Sequence, residues 1–406
     1  MSVISIFSGD YCHAEHIVQD VVGSTGFKLL SDADVVSAAA KQADSDPEKI
    51  QRAFDAKTSV FNKFTHEKER SIAYLKLAIA EEMVADNLLI SGFSAAIVPP
   101  TISHVLRVCL IADLPYRVKL AAAELDVSEK EAARTIHRAD ESRAAWIDAV
   151  APGNRPWDAA LYDLVIPVDK TAVEKASALI QENAFKSIVQ PNDASRQALA
   201  DFQLAARVEV ALTREGHQVS VSAQDGRVRL TINRHVLMLS RLEEELKSIV
   251  TPISGVRSVE TETGKEYHQA TIYRKHDFKA PAKVLLVDDE REFVQTLSER
   301  LQMRSMGAAV AYDGQSALDL VRDDDPEVMI IDLKMPGING LEVLKTVKAT
   351  RPEIEVIVLT GHGADRDRAQ CMELGAFAYL HKPVDIDELS ETLQRAYAKI
   401  RKKQDE

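Results

Sequence analysis

Cysteine, excess positive charge and long apolar runs are all scarce in this chain. Only three of its 406 residues are cysteines, Cys12, Cys109 and Cys371, and their odd number and spacing suit neither a disulfide framework nor a metal site. No apolar run reaches the length of a membrane span, and residues 1–8 lack the basic start and long apolar core of a signal peptide. We therefore expect reduced thiols in a cytoplasmic protein.

The charge balance is acidic. The formal net charge of −13 argues against nucleic acid as a default partner, although a local basic patch would be compatible with it. No helix-turn-helix with basic recognition residues is visible, so no DNA partner is predicted and a DNA-binding regulator is only a third interpretation. The length and the 46% hydrophobic content predict two or three domains with separate cores.

Five polar residues near the C-terminus each close a short apolar, β-branched run. They are Asp288 and Asp289 after KVLLV, Asp332 after VMII, Thr360 at the end of VIVLT, and Lys382 after AYLH. Such runs are typical of buried parallel strands, so we expect these residues along the one sheet edge where ligands bind.

The residue types at this edge predict phosphoryl chemistry. Three converging carboxylates repel one another, and the usual remedy is a hard divalent cation with oxygen ligands, here Mg²⁺. One carboxylate can then attack a phosphoryl group whose charge is shared by the metal, Lys382 and the Thr360 hydroxyl. The product would be an aspartyl phosphate.

Residues 282–402, with these motifs, resemble the receiver domain of two-component response regulators. The resemblance implies a flavodoxin-like (βα)₅ fold, with Asp288 and Asp289 holding Mg²⁺ and Asp332 as phosphoacceptor and further metal ligand. Lys334 would contribute its backbone carbonyl to the metal. A sensor histidine kinase or phosphotransfer protein would be the phosphoryl donor, and homodimer formation through the receiver is compatible with the family.

The same resemblance implies a switch. Thr360 would be the switch hydroxyl, Tyr379 the aromatic that changes rotamer with it, and Lys382 the phosphate-binding lysine. The bond from Lys382 to Pro383 is often cis in this family.

Residues 1–186 show a separate pattern of alternating strands and helices. This pattern resembles a cytidylate-kinase-like P-loop domain, most clearly from LRVCLIAD at Leu106 to LYDLVIPVD at Leu161. The resemblance implies phosphate-clamping roles for Arg138 and Arg143, with Asp140 orienting them. Two guanidiniums a helical turn apart suit a phosphate. Arginine and aspartate at such spacing also form ordinary surface ion pairs, and that alternative stays open.

The phosphate-binding loop departs from the kinase pattern. Such a loop needs glycines and a lysine, yet Ser8–His16 has one glycine, no lysine, and the acidic Asp10 and Glu15. Phe93 stands where the family commonly has an arginine. Because phosphoryl transfer depends on positioning and charge neutralisation, we expect a degenerate kinase fold without transfer activity.

Residues 194–272 read as a small α+β module in the order αββαβ, with a hairpin turn at Asp225-Gly226. DGRVRLTI and ISGVRSVE in this stretch resemble the BON family of small binding modules, and an unrelated α+β spacer is the alternative. Residues 260–281 read as a last strand and a linker.

Two classes of function follow from this three-domain α/β organisation. In the first, a phosphorylated receiver controls the binding or assembly of two non-catalytic modules, whose ligand is an unidentified protein or a nucleotide-like molecule. In the second, the receiver regulates a nucleoside monophosphate kinase of the cytidylate type. The missing P-loop lysine favours the first.

Overall fold

The computed structural model of this chain describes residues 2–236, 238–264, 267, 283–304, 306–361 and 365–404. The chain forms two compact units, one of Met1–Thr58 with Lys68–Arg274 and one of Ser59–Glu67 with Lys275–Glu406. Most of the linker predicted over 260–281 lies outside the described residues. Within the described part of the chain, no helix combines the length and the apolar character needed to cross a membrane.

The larger unit is built on a five-stranded parallel sheet in the order β2-β3-β1-β4-β5. Its strands are β1 Val3–Ser8, β2 Lys28–Leu30, β3 Leu88–Ser91, β4 Val105–Ile111 and β5 Leu164–Pro167. The central strand is buried on both faces. Ile4 and Ile6 pack into one core and Val3 and Phe7 into the other, because successive side chains of a strand alternate between faces.

Helices cover both faces of this sheet, as parallel strands require. They are α1 Ala14–Thr25, α2 Asp32–Ala43, α3 Pro47–Gln51, α5 Glu67–Glu82, α6 Leu114–Leu125, α7 Glu129–Val150 and α8 Val173–Ala184; the one-turn helix α4, Asn62–Thr65, belongs to the smaller unit. The capping box that opens α7 is present, because the Ser128 hydroxyl accepts from the Glu131 amide and the Glu131 carboxylate accepts from the Ser128 amide.

The remainder of the larger unit has the predicted order αββαβ. Its elements are α9 Asp193–Arg214, β6 Ser220–Gln224, β7 Arg227–Ile232, α10 Leu239–Val250 and β8 Ser258–Thr263. β6 and β7 are antiparallel across Asp225 and Gly226, which both have positive φ as a tight primed turn requires. β8 pairs parallel to β7. The BON resemblance stays a prediction.

The smaller unit contains a second parallel sheet in the order β10-β9-β11-β12-β13. Its elements are β9 Val284–Val287, α11 Arg291–Gln302, β10 Ala308–Ala311, α12 Gly314–Asp324, β11 Val328–Ile331, α13 Gly340–Thr350, β12 Glu355–Thr360, α14 Asp365–Glu373, β13 Ala378–His381 and α15 Ile386–Gln404. Counted along this unit the strand order is 2-1-3-4-5, which is the flavodoxin-like arrangement. The predicted (βα)₅ fold is confirmed.

Candidate functional site

The predicted phosphoryl site lies at the carboxyl edge of the smaller sheet. Asp288 directly follows β9 and Asp332 directly follows β11, and these neighbouring strands are in register up to Val287 and Ile331. Both carboxylates are buried, with 4% and 7% of their surface exposed. The parallel register therefore brings two acidic side chains, 44 positions apart in sequence, to one place.

Lys382 reaches this edge from the loop after β13. Its Nζ lies 2.6 Å from Asp288 Oδ2 and 2.9 Å from Glu290 Oε1, and it also stands 4.4 Å from the centre of the Phe293 ring. Glu290, whose backbone N–H donates to Asp288 Oδ1 over 3.0 Å, was not among the residues predicted from the sequence. Its position directly after the Asp288-Asp289 pair was the available signal.

Burial and charge oppose each other at this edge. Burial raises the pKa of Asp288 above its ordinary value, the hydrogen bond to Lys382 lowers it, and the charge of Asp332 raises it again. For Lys382, burial works against the ammonium, but its hydrogen bonds to Asp288 and Glu290 outweigh burial and the pKa is raised. One firmly charged lysine thus faces an excess of carboxylates.

The loop after β11 holds the predicted phosphoacceptor firmly. The Lys334 backbone N–H donates to Asp332 Oδ2 over 2.9 Å, while the Asp332 N–H donates to the Val287 carbonyl over 3.0 Å. A Cβ at Gly340, the first residue of α13, would lie 2.0 Å from the Asp332 carbonyl oxygen. Only glycine permits this close approach of α13 to the Asp332 backbone.

The predicted switch residues are both buried. Thr360 ends β12 with 1% of its surface exposed, and Tyr379 in β13 has 8% exposed and belongs to the core on the α12–α13 side of the sheet. Within the described residues the Tyr379 hydroxyl has no hydrogen-bond partner, and burial is the main cause of its raised pKa. The Lys382–Pro383 bond is cis.

The donor set at this edge fits a hard cation by its chemistry. Asp288 and Asp332 offer only oxygen ligands, are buried, and repel each other, which are the conditions that a divalent ion relieves. The described side chains do not, however, gather three or more His, Cys, Asp or Glu groups into a ready metal cage. Lys382 instead neutralises Asp288.

A second charged cluster surrounds the loop after β1 in the larger unit. The Arg143 Nε donates to the Ser8 carbonyl over 2.6 Å, and its NH2 group forms a short ion pair with Asp10. Arg117 donates from Nε to the Asp10 carbonyl over 2.8 Å and makes a bidentate pair with Asp140 at 2.9 and 2.8 Å. Both arginines are buried, so their donors are largely used within the protein.

The structure does not form the one-turn arginine clamp predicted for α7. Arg138 and Arg143 are five residues apart, which places them about 140° apart around a helix of 3.6 residues per turn. Arg138 is exposed and, in the part of the chain that the structure describes, makes no hydrogen bond or ion pair. Asp140 pairs with Arg117, which sequence reasoning missed although Arg117 lies in the helix directly following β4.

Phe93 also has a clear structural setting. The Asp32 carboxylate accepts the backbone N–H groups of Phe93 and Ser94 at 2.9 and 2.8 Å, and burial raises its pKa. The Phe93 ring stacks on Phe54 with centroids 5.0 Å apart, and the Arg143 guanidinium lies 5.2 Å from its centre. The Phe93 ring therefore makes a cation–π contact with the buried Arg143 guanidinium.

Known proteins resemble the smaller unit closely. Residues 284–394 match the response regulator receiver domain family. The chain is 44% identical over 107 residues to the transcriptional regulatory protein CpxR of Escherichia coli K12, and 34% identical over 109 residues to the response regulator MprA of Mycolicibacterium vanbaalenii. Residues 284–394 form a receiver domain. These matches cover 26% and 27% of this chain and 45% and 47% of the relatives, so the chain spans about half the length of the curated relatives it matches.

Solved receiver domains are similar as well. The receiver domain of Francisella response regulator 1452 is 29% identical, with 29% of this chain and 98% of that chain covered and a TM-score of 0.28. A receiver domain protein from Clostridium thermocellum is 32% identical, with 30% and 96% covered and a TM-score of 0.28. In the larger unit, residues 3–170 match the cytidylate kinase-like family.

The internal ion pairs of the larger unit predict an unequal response to arginine removal. Arg117→Ala removes both hydrogen bonds to Asp140 and the guanidinium donor of the Asp10 carbonyl, so the free energy of unfolding should fall by roughly 2–3 kcal/mol. The loss stays below that expected for a fully buried pair because the Asp140 side chain is 27% exposed. Arg138→Ala, on the exposed face of α7, should change it by less than about 0.5 kcal/mol.

Denaturant unfolding followed by tryptophan fluorescence measures this difference, because both tryptophans, Trp146 and Trp157, lie in the larger unit. Equal losses in the two variants would contradict the assignment of Arg117 as the buried ion-pair partner.

Proposed function

We propose that this protein is a response regulator of a two-component phosphorelay, in which Asp332 accepts a phosphoryl group from a histidine kinase or phosphotransfer protein. The observation that carries the proposal is the meeting of buried Asp332 and Asp288 with Lys382 at the carboxyl edge of a receiver sheet. The homology of this domain to the receivers of response regulators supports it.

Mg²⁺ would be held by Asp288, Asp289, Asp332 and the Lys334 carbonyl, and it would supply the positive charge that lets an anionic donor approach three carboxylates. A carboxylate oxygen of Asp332 attacks the phosphorus, the new O–P bond forms, and the bond from phosphorus to the donor's nitrogen breaks. The Lys382 ammonium transfers from Asp288 to the phosphoryl oxygens. The product is an acyl phosphate on Asp332.

The readout proposed for this step is the face that carries Thr360 and Tyr379. The new phosphoryl group offers acceptors to the Thr360 hydroxyl, and movement of Thr360 toward it changes the space beside the Tyr379 ring. The effect is a shift between two populations, limited by their difference in stability. We propose that it controls the binding or assembly of the N-terminal modules, whose partner is a protein or a nucleotide-like ligand, with homodimer formation through the receiver as one route.

The kinase-like domain is proposed to be non-catalytic. Its loop Ser8–His16 carries no lysine, and the donors of Arg117 and Arg143 are occupied by Asp140, Asp10 and backbone carbonyls. An incoming phosphate would have to displace these internal partners. A regulated nucleoside monophosphate kinase is the second candidate, favoured by the match of residues 3–170 to the cytidylate kinase-like family.

Asp332→Asn should abolish labelling by a small phosphodonor with Mg²⁺, because the amide cannot form an acyl phosphate. Asp319→Asn, on the surface of α12, is the matched control and should be labelled as wild type. The acid-labile modification is located by mass spectrometry on the intact chain and its peptides. Labelling of the Asp332→Asn variant at the wild-type level would show that another residue is the acceptor.

Lys382→Met should shift the pH dependence of Mg²⁺ binding. The pKa of Asp288 is already raised by burial, and Lys382 is the group that lowers it. Loss of the lysine raises this pKa further, and because the metal needs the carboxylate, affinity should be lost at a higher pH as the solution is acidified.

Calorimetric Mg²⁺ titrations from pH 7.5 down to pH 4.5 measure this shift. Lys334→Met is the control, since the hydrogen bond from Lys334 to Asp332 is made by the backbone N–H, which the variant keeps. Superimposable pH profiles for wild type and Lys382→Met would remove the proposed coupling.

A coupled ADP-release assay on the full chain, with CMP, dCMP, UMP and AMP as acceptors, should give no turnover, with or without phosphorylation of Asp332. The physical reason is the missing lysine and the internally paired arginines. Turnover that disappears in Arg143→Ala would establish the regulated kinase instead.

A further inference from the structure

The smaller unit includes a short segment from a distant part of the sequence. Residues Ser59–Glu67 group with the receiver, whereas the chain up to Thr58 and from Lys68 groups with the larger unit. The smaller unit is therefore built from two separate stretches of the sequence, Ser59–Glu67 and Lys275–Glu406.

An aromatic side chain is the centre of the segment. Phe61 has no exposed surface and belongs to the receiver core that contains Val321 of α12 and Val347 of α13. Directly after it, one helical turn is closed by the Phe61 carbonyl, which accepts the N–H groups of Phe64 and Thr65 at 2.8 and 3.0 Å. The segment is a built element and not a loose loop lying on the surface.

Two polar contacts flank the buried ring. The Val60 N–H donates to Asp324 Oδ1 over 3.2 Å, and Lys283 Nζ lies 2.7 Å from Glu67 Oε1. On the receiver side both groups are nearly inaccessible, since Asp324 is 3% and Lys283 is 8% exposed. A buried carboxylate and a buried ammonium each need a partner, and the segment provides one to each of them.

These contacts lie at the amino edge of the receiver sheet. Lys283 immediately precedes β9, and Asp324 ends α12 shortly before β11 begins. The predicted phosphoacceptor and Lys382 stand at the opposite, carboxyl ends of the strands. α12 contacts β10 and β9, whereas β13 is the edge strand at the far end of the sheet from β10.

We propose that the amino edge of the receiver is a docking site for an aromatic-centred segment, filled in cis by Ser59–Glu67. Phe61 is the anchor, and Asp324 and Lys283 fix its orientation. Docking here occupies the edge of the receiver sheet opposite to Asp332 and Lys382. The proposal goes beyond phosphoryl transfer and does not depend on it.

Hydrogen exchange of the full chain tests the docking. In wild type the amides of residues 60–66 should be protected, and Phe61→Ala should speed their exchange by about 100-fold or more, because a fully buried ring is lost. Residues 321–325 should also exchange faster. Phe64→Ala is the matched control: it removes the same side chain three residues away, from a half-buried position outside the receiver cores, and should change exchange by less than about threefold.

Asp324 gives a second, independent pair of variants. Asp324→Ala removes the acceptor of the Val60 N–H and should increase exchange of the segment, whereas Asp324→Asn keeps an oxygen acceptor and should retain most of the protection. If Phe61→Ala also unfolds the receiver, seen as lost protection in β9 and β11, Phe61→Leu keeps an apolar anchor and should give an intermediate rate with those strands intact.

Three results would overturn the proposal: exchange of residues 60–66 at the rate of unstructured chain in wild type, equal rates for Phe61→Ala and Phe64→Ala, or equal rates for the two Asp324 variants. Labelling of Asp332 in Phe61→Ala should stay within about twofold of wild type, and a tenfold loss would contradict the separation of the two edges. Absence of labelling in wild type would instead count against the phosphorelay function and leave the docking result standing.

Discussion

Unbalanced negative charge at the end of a parallel sheet is the constraint on which the receiver depends. The register of β9 and β11 forces Asp288 and Asp332 together in a place that water barely reaches. Burial and mutual repulsion raise the pKa of Asp288, and Lys382 offsets only part of this effect. A site with more buried carboxylates than ammonium groups favours the binding of a cation. The bound cation would then also offset the negative charge of a phosphoryl group at the same place. The phosphoryl transfer proposed for Asp332 would use a cation to relieve this shortage of positive charge.

The larger unit buries an excess of positive charge near the loop after β1, and groups of the protein itself neutralise it. Two guanidiniums are buried near the loop after β1, which would make a strong anion site if their donors faced a cavity. Instead the Asp140 carboxylate accepts from both terminal nitrogens of Arg117, while Asp10 accepts from one terminal nitrogen of Arg143 and the Ser8 carbonyl accepts from its Nε. In the receiver the buried charges are only partly neutralised by the protein, which favours binding of a charged ligand. In the larger unit internal partners neutralise the buried arginines, and the same kinds of residues stabilise the fold.

This difference explains what sequence reasoning could find. The receiver strands are short, continuous apolar runs, and each delivers a polar residue at its carboxyl end, so local pattern and site chemistry coincide at Asp288, Asp332 and Thr360. Arg117 could not be found in this way, because its partners are Asp140 and a carbonyl 107 positions away. The structure does not bring Arg138 and Arg143 together, because a spacing of five residues turns the two side chains to different faces of α7.

Phe61 was invisible to the same reasoning, because Val60, Phe61 and Phe64 are too few apolar residues to set a helix or strand period in a polar stretch. The packing partners of Phe61 lie more than 200 residues further on. Its burial nevertheless bears on the proposed switch. Phe61 and Tyr379 belong to one close-packed core, and such cores pass on changes in volume instead of absorbing them. If docking of Phe61 stabilises one rotamer of Tyr379, that rotamer must stabilise docking by the same free energy, because linked equilibria are reciprocal. Any such linkage would act on the Tyr379 rotamer and not on the phosphoryl site, whose labelling the loss of Phe61 should leave nearly unchanged.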